Sequence, residues 1–197
     1  MYIIGASGHA KSVIDLMEDK SVIKAIFDDN IHLIRVLGLP VTTPIPPNLP
    51  LDQSYIIAIG NNRIRFSLVD QKLQSARFTN IIHPTAIISK TVNLGVGLVI
   101  MEGAIIKVDT KIGNHVIVNT AAIIDHDCKL ADYVHIAPSA TLCGGVEVGE
   151  GTLVGAKSII LPNITIGRWC TIAAGSTVHK NLSDGSVWIG NALKKQV

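Results

Sequence analysis

Aromatic rings are scarce in this chain of 197 residues, at 4%, and charged side chains make up only 16%, with a net charge of +2. A nucleic-acid surface usually needs a basic stripe or stacking aromatics, so this balance argues against such a partner. Cysteine is limited to Cys128, Cys143 and Cys170. An odd number without paired spacing offers neither a disulfide framework nor a zinc motif, and reads as reduced, packed thiols. Hydrophobic residues reach 48%, yet no apolar run approaches the roughly eighteen residues of a membrane span. The opening MYIIGASGHA has neither a basic n-region nor a cleavage site, and Lys194-Lys195 is too short for a polybasic anchor; the expected location is the cytoplasm.

What the chain has in abundance is a repeat. From Ile82 to Val178 every sixth residue is a branched aliphatic, running Ile82, Ile88, Leu94, Ile100 and onward without exception to Ile172 and Val178. A helix repeats at about 3.6 residues and an ordinary strand at about 2, so a period of six means a short strand plus a corner, repeated along a parallel β-helix. Four residues after each aliphatic the side chain is mostly small or aliphatic, as at Ala86, Ala104, Ala122, Cys128, Ser158 and Cys170. The two columns would fill a narrow prism. Seventeen hexads give between five and six coils of eighteen residues, roughly 25 Å of prism at about 4.8 Å per coil.

The pattern changes character near residue 80, which divides the chain into residues 1–80 and 81–197. The first part begins with an apolar strand at 2–4, the turn Gly5-Ala6-Ser7-Gly8-His9 and helical spacing over Ala10–Met17. A second strand, Ile23–Phe27, ends in Asp28-Asp29. A third, Tyr55–Ile59, ends in Gly60-Asn61-Asn62-Arg63 before a helix over Ile64–Leu73. This is a small Rossmann-like α/β unit of order β-α-β-β-α-β, and ligands of such sheets sit beyond the carboxyl ends of the strands, where all three polar clusters fall. A glycine turn opening a helix suits a diphosphate. It is G-x-x-G-H, not the G-x-G-x-x-G of a dinucleotide site, and the unit is half the usual size for one. The proline-rich stretch between Ile31 and Leu51 reads as a surface connection.

The most polar sequence within the repeat is Ile124-Asp125-His126-Asp127-Cys128. A neighbouring carboxylate can orient one imidazole nitrogen and leave the other to accept a proton, as a general base requires. A surface histidine at a coil corner is the competing reading. Positions eighteen apart stack, which sets His126 above Val108 and below Gly144, where the small residue leaves room beside the ring. Two further columns, Asn119-Ala137-Gly155-Ala173 and Gly113-Ala131-Gly149-Gly167, are kept narrow. Either exposed backbone for a pantetheine arm or the demands of tight corners and subunit packing would account for them.

The segments IIGASGHAKSVID, FDDN, AIGNNRIR, IIHPTAIIS, IIDHDCKLADYVHIAPSATLCGGVEVG and VGAKSIILPNITIG, spread over nearly the whole chain, resemble the bacterial nucleotide-sugar acetyltransferases of the sialic-acid O-acetyltransferase and bacillosamine N-acetyltransferase family. The resemblance implies a left-handed β-helix, a homotrimer with active sites between adjacent β-helices, and acetyl-CoA as co-substrate, without a metal. It implies His126 as general base with Asp127 or Asp125 orienting it, Asp127 being favoured; bacillosamine-type relatives carry glutamates there. It also implies that His135, Gly144, Ala156 and Ala174 lie along acetyl-CoA, the Gly144 amide close to the thioester oxygen, and the column that begins at Asn119 is the candidate strip for the pantetheine arm. Gly5, Ser7, Gly8 and His9 would hold the diphosphate, and Asp28, Asp29, Asn61 and Asn62 would shape the base and ribose pocket. Where the family has G-x-P-A-K, this chain reads Gly190-Asn191-Ala192-Leu193-Lys194. The implied reaction is acetylation of an amino group, at C4, on a nucleotide-linked deoxyaminosugar in bacterial glycan biosynthesis. The alternatives are O-acetylation of sialic acid or another sugar, a zinc anhydrase using His115, His126 and His135 across chains, and a non-catalytic sugar-nucleotide-binding scaffold.

Overall fold

The computed structural model describes residues 1–195, so the last two positions of the 81–197 part lie outside the described residues. Strand β1 (Tyr2–Ile4) is followed by α1 (Gly8–Asp15), β2 (Ala25–Phe27), the hairpin β3 (Arg35–Val36) and β4 (Leu39–Pro40), β5 (Ser54–Ile57), α2 (Asn62–Lys72) and β6 (Arg77–Phe78). Four of these strands form a parallel sheet in the order β2-β1-β5-β6. Both helices begin two residues earlier than the apolar spacing suggests, because the polar turn residues already take helical geometry ahead of the first buried side chain. The proline-rich stretch is more than a surface connection. Its hairpin turns at Leu37 and Gly38, both with positive φ, and it places Val36 and Ile45 in the core.

From Ile81 onward the chain coils through three parallel sheets of eight, six and five strands, the first including a C-terminal hairpin. Between Ile81 and Val178 each strand is two residues long and strands of successive coils pair eighteen residues apart, as in Ile117 with His135 and Ile123 with Thr141. The second residue of each strand is the periodic aliphatic; from Ile100 to Val178 the column is buried. Ile82, at the open end of the prism, is 39% exposed. The opposite end is closed by Trp188, whose indole donates to the carbonyls of Thr177 and Gly190. Its strand, Val187–Ile189, pairs antiparallel with Ala192–Lys195.

Corners are turned by one left-handed residue per hexad. From Gly97 to Gly175 the third residue after each aliphatic has φ between 54° and 72°. Most of these residues are not glycine, although the conformation costs an ordinary side chain about 1 kcal/mol. The amide exposed by the turn recovers a hydrogen bond to the coil before it: Tyr133 donates to Asn114 O, and Asp127 to Val108 O. The small column four residues after each aliphatic is not wholly apolar. Thr110, Thr152 and Ser158 are buried there, and each hydroxyl donates to a carbonyl fifteen residues on.

The α/β unit packs on one side of this prism. Val99, Met101 and Ile117, on the face built from Ile81–Ile82, Val99–Ile100 and Ile117–Val118, share a cluster with Ile3, Val13 and Ile14. The adjoining corner presents His115, Tyr133 and Trp169 to Phe78 and Phe66, with Phe66 edge-on to both Tyr133 and Trp169.

Candidate active site

His126 and Asp127 occupy the corner that follows strand Ile123–Ile124. Adjacent residues in an extended chain point to opposite sides, but Asp127 is the left-handed residue of its hexad, with φ 58°, and the turn swings its carboxylate back to the ring. Asp127 Oδ2 lies 2.7 Å from His126 Nδ1. Asp125 instead accepts the backbone amide of His126 at 2.8 Å. The pair is exposed, and Nε2 has no partner among the described residues. The imidazole is held above its ordinary range, first by the Asp127 hydrogen bond and then by the charge of Asp125. This is an imidazole oriented through Nδ1 with a free second nitrogen, a geometry that can take a proton.

Gly144 makes room for that ring. A Cβ on it would stand 2.6 Å from both Cε1 and Nε2 of His126. Its N–H has no acceptor among the described residues. The two narrow columns have a different cause. A Cβ built on Gly149, Gly155 or Gly167 would fall 2.5 Å from backbone of the following turn of chain, so close coil stacking favours small residues there.

His135 sits on the face against the α/β unit. Its Nδ1 is 3.2 Å from Gly60 O and its Nε2 is 3.2 Å from Asn119 Nδ2, while Asn119 Oδ1 accepts the Thr120 amide at 2.8 Å. The network assigns the proton to Nδ1, because Asn119 must turn its amide nitrogen toward the ring. Burial, then the charge of Arg65, then His9 push His135 down to about 4. Ala156 and Ala174 occupy the corner after this same face, with Ala174 exposed.

At the carboxyl ends of β1, β2 and β5 a cleft of about 380 Å³ is lined by Ser7, Asp28, Asp29, Asn30 and an apolar wall that includes Ile45, Ile59 and Leu68. Asp28 braces the glycine turn by accepting the Ala6 amide at 2.7 Å. Asp29 accepts the Ile45 amide and lies 3.7 Å from Lys72. Gly5 is dictated by space, since a Cβ would meet Ala58 O at 2.7 Å, whereas Gly8 faces an open region at the start of α1. His9 is pushed down to about 4 by burial and then by Arg65, and its buried Nε2 has no partner among the described residues.

Two expected pocket residues turn elsewhere. Asn61 caps α2 through the Ile64 amide, and Asn62, 8% exposed, donates to Gly151 O and accepts from Arg65. Arg65 and the carbonyl row it meets were not anticipated; a positive side chain in the first turn of a helix, where the dipole disfavours it, was the available signal. Of the three histidines of the zinc reading, His115 is 5% exposed and stacked on Tyr133, with ring planes 12° apart, so it cannot reach a shared ion. Among the described residues no cluster of three or more His, Cys, Asp or Glu side chains is placed to hold a metal.

Residues 1–72 match the family described as the PglD N-terminal domain, and residues 145–180 match the bacterial transferase hexapeptide (six repeats). A solved structure of PerB from Caulobacter crescentus in complex with CoA and GDP-perosamine is 36% identical, covers 100% of this chain and 96% of that one, and superposes with a TM-score of 0.89. The chain belongs to the nucleotide-sugar acetyltransferases of the hexapeptide-repeat class. The acetyltransferase domain of PglB from Neisseria gonorrhoeae FA1090, in complex with acetyl coenzyme A, is 32% identical over 99% of this chain and 98% of that chain, with a TM-score of 0.88. The curated UDP-N-acetylbacillosamine N-acetyltransferase of Bacillus subtilis (strain 168) is 39% identical over 107 residues, half the length of each protein. As in other acetyltransferases of this class, the prism is a left-handed parallel β-helix behind a small α/β unit.

Proposed function

We propose that the protein transfers the acetyl group of acetyl-CoA to the amino group, at C4, of a nucleotide-linked deoxyaminosugar. The observation that carries this reading is the His126 ring, tied through Nδ1 to Asp127 and open at Nε2 beside Gly144. A neutral amine attacks the thioester carbonyl, the C–N bond forms as the C–S bond breaks, His126 Nε2 takes the proton the amine loses, and the sulfur leaves as thiolate to be protonated. The unpartnered Gly144 N–H is available to the carbonyl oxygen as it gains charge. The amine reading is favoured over O-acetylation by the relatives named above, one complexed with GDP-perosamine and one named for UDP-N-acetylbacillosamine.

Residues 1–80 supply the sugar-nucleotide site in this reading, with the diphosphate at Gly5, Ser7, Gly8 and His9 and the nucleoside over Asp28 and Asp29. Acetyl-CoA lies along Asn119, His135, Ala156 and Ala174, where small side chains leave the surface open and the second N–H of the Asn119 amide is the available donor. These residues and the glycine turn border the face that docks the α/β unit, whereas His126 and Gly144 stand on the corner opposite that face. Side-by-side copies would unite the two sets, and the face between them carries exposed Ile87, Ile123 and Ile159. In this reading the copies assemble as a homotrimer, and the exposed isoleucines of that face support burial against a neighbour. The free cysteines suit the cytoplasm, where thiols stay reduced.

Replacement His126→Ala tests the assignment. The account expects acetyl-CoA affinity by calorimetry within about twofold of wild type and turnover lowered by about 10²–10⁴, the range of a lost general base. Retention of most of the turnover would refute it.

A further inference from the structure

Arg65 is a buried cation outside the chemistry described so far. It is 1% exposed, yet no carboxylate forms an ion pair with it among the described residues. Its guanidinium donates instead to oxygens of both halves of the chain. Nε reaches His115 O at 2.9 Å and Nη2 reaches Tyr133 O at 2.8 Å, two corner carbonyls one coil apart. Nη1 reaches Ile59 O at 3.0 Å and Gly60 O at 3.4 Å, at the end of β5. Asn62 extends the row by accepting from Nη2 at 3.0 Å and donating to Gly151 O, the corner of the third coil, at 2.9 Å.

Burying a guanidinium without a counter-charge is unfavourable, and apolar packing would hold a seam at least as well. This cation does something that packing would not. The Gly60 carbonyl it holds is also the acceptor for His135 Nδ1, and His135 Nε2 in turn meets Asn119. Arg65 thus stands behind the ring on the acetyl-CoA side and behind the turn that borders the sugar-nucleotide cleft. We propose that Arg65 is a positioning residue for the acyl transfer, fixing the Gly60–Asn62 turn to three successive coils and thereby setting the ring plane and Nδ1–H tautomer of His135.

The proposal rests on the acetyl-transfer reading for its kinetic consequence but not for its structural one. Burial first, and then the positive charge of Arg65, keep His135 neutral.

The test is Arg65→Lys, which keeps the charge but loses the planar fork that spans separate carbonyls. The folded variant should show kcat lowered by about 30-fold, within the range expected for a misplacement near 1 Å. Its KM for acetyl-CoA should stay within about threefold, because the small-residue edge that carries most of that site is untouched. Nitrogen-15 spectra of the imidazoles should show His135 losing its single Nδ1–H tautomer, and hydrogen exchange should quicken at residues 60–63. Unchanged His135 signals and exchange in a folded Arg65→Lys protein would overturn the proposal, as would kcat within about twofold of wild type. If Arg65→Lys does not fold, Asn62→Ala serves. It removes the Gly151 link and one acceptor of the fork, and it should give the same spectroscopic change with a kcat loss of about fivefold; unchanged spectra there would likewise overturn the proposal. Should the wild type acetylate no nucleotide-linked amine, the acetyl-transfer reading fails alone, and the imidazole and exchange measurements still decide the role of Arg65.

Discussion

Replacement Gly144→Ala isolates the space beside His126 from the backbone amide that the same residue offers. The added Cβ would stand 2.6 Å from Cε1 and Nε2 and 3.2 Å from Nδ1 of the ring, where ordinary contact begins near 3.4 Å. The ring must therefore retreat by about 0.8 Å, and its 2.7 Å bond to Asp127 cannot survive that movement intact. Gly144 does not have positive φ, so alanine fits the backbone and the coil should fold with little change in melting temperature. A catalytic group displaced by nearly 1 Å loses about 100-fold in rate, or about 2.7 kcal/mol of barrier. The assay is kcat from thiol release in a double-mutant cycle with His126→Ala. In the double variant Gly144→Ala should cost almost nothing, since the ring it displaces is gone. A single variant within about twofold of wild type, or a full second loss in the His126→Ala background, would refute the reasoning.

Replacement Asp127→Asn removes the largest cause of the raised His126 pKa. The base then stays unprotonated to lower pH, so the acidic limb of kcat/KM should move down while the plateau falls by about tenfold; a pH profile with an unmoved limb would contradict this. His115, buried and pushed down to about 4 by burial and then by Arg65, accepts a proton in the unfolded chain near 6.5 but not in the folded one. Its contribution is fully present above 6.5 and is lost as pH falls toward 4, about 2 kcal/mol by pH 5, and His9 and His135 add in the same direction. Urea titrations at pH 7.5 and 5 should show the loss, and equal stabilities would refute it. Replacement Ile159→Glu puts a charge on the exposed apolar face, 43% exposed at that residue. If the proposed homotrimer forms through this face, sedimentation should show the variant as smaller species with turnover falling; an assembly size unchanged from wild type would place the interface elsewhere.

The β-helix is legible because nearly every hexad states it independently: one aliphatic per strand and a small or aliphatic residue four positions later, with the coil partner eighteen residues on through the repeat. The carboxyl-end clusters at Ser7 and Asp28-Asp29 were legible for a similar reason, since strand ends are marked by polar residues after apolar runs. What escaped reading is written in backbone. The acceptors of Arg65 and Asn62 are carbonyls of His115, Tyr133 and Gly151, and a carbonyl leaves no trace in side-chain type. Nothing in the residue type shows that Asn61 also caps α2 or that Asn62 docks the two halves. Asp127 was favoured over Asp125, but the left-handed corner that brings its carboxylate to the ring is one that non-glycine residues also fill. The buried Val36 and Ile45 were hidden in a stretch whose prolines signal only that it is not a helix.

The measurement that bears most directly on the account is acetyl-CoA consumption with UDP-, GDP- and dTDP-linked 4-amino sugars beside free sialic acid, following thiol release and product mass. The account predicts turnover on at least one nucleotide-linked amine, with a product heavier by one acetyl group and an amide at C4. Turnover confined to a hydroxyl of the free sugar would leave the β-helix and His126 in place and contradict the substrate assigned to the N-terminal unit.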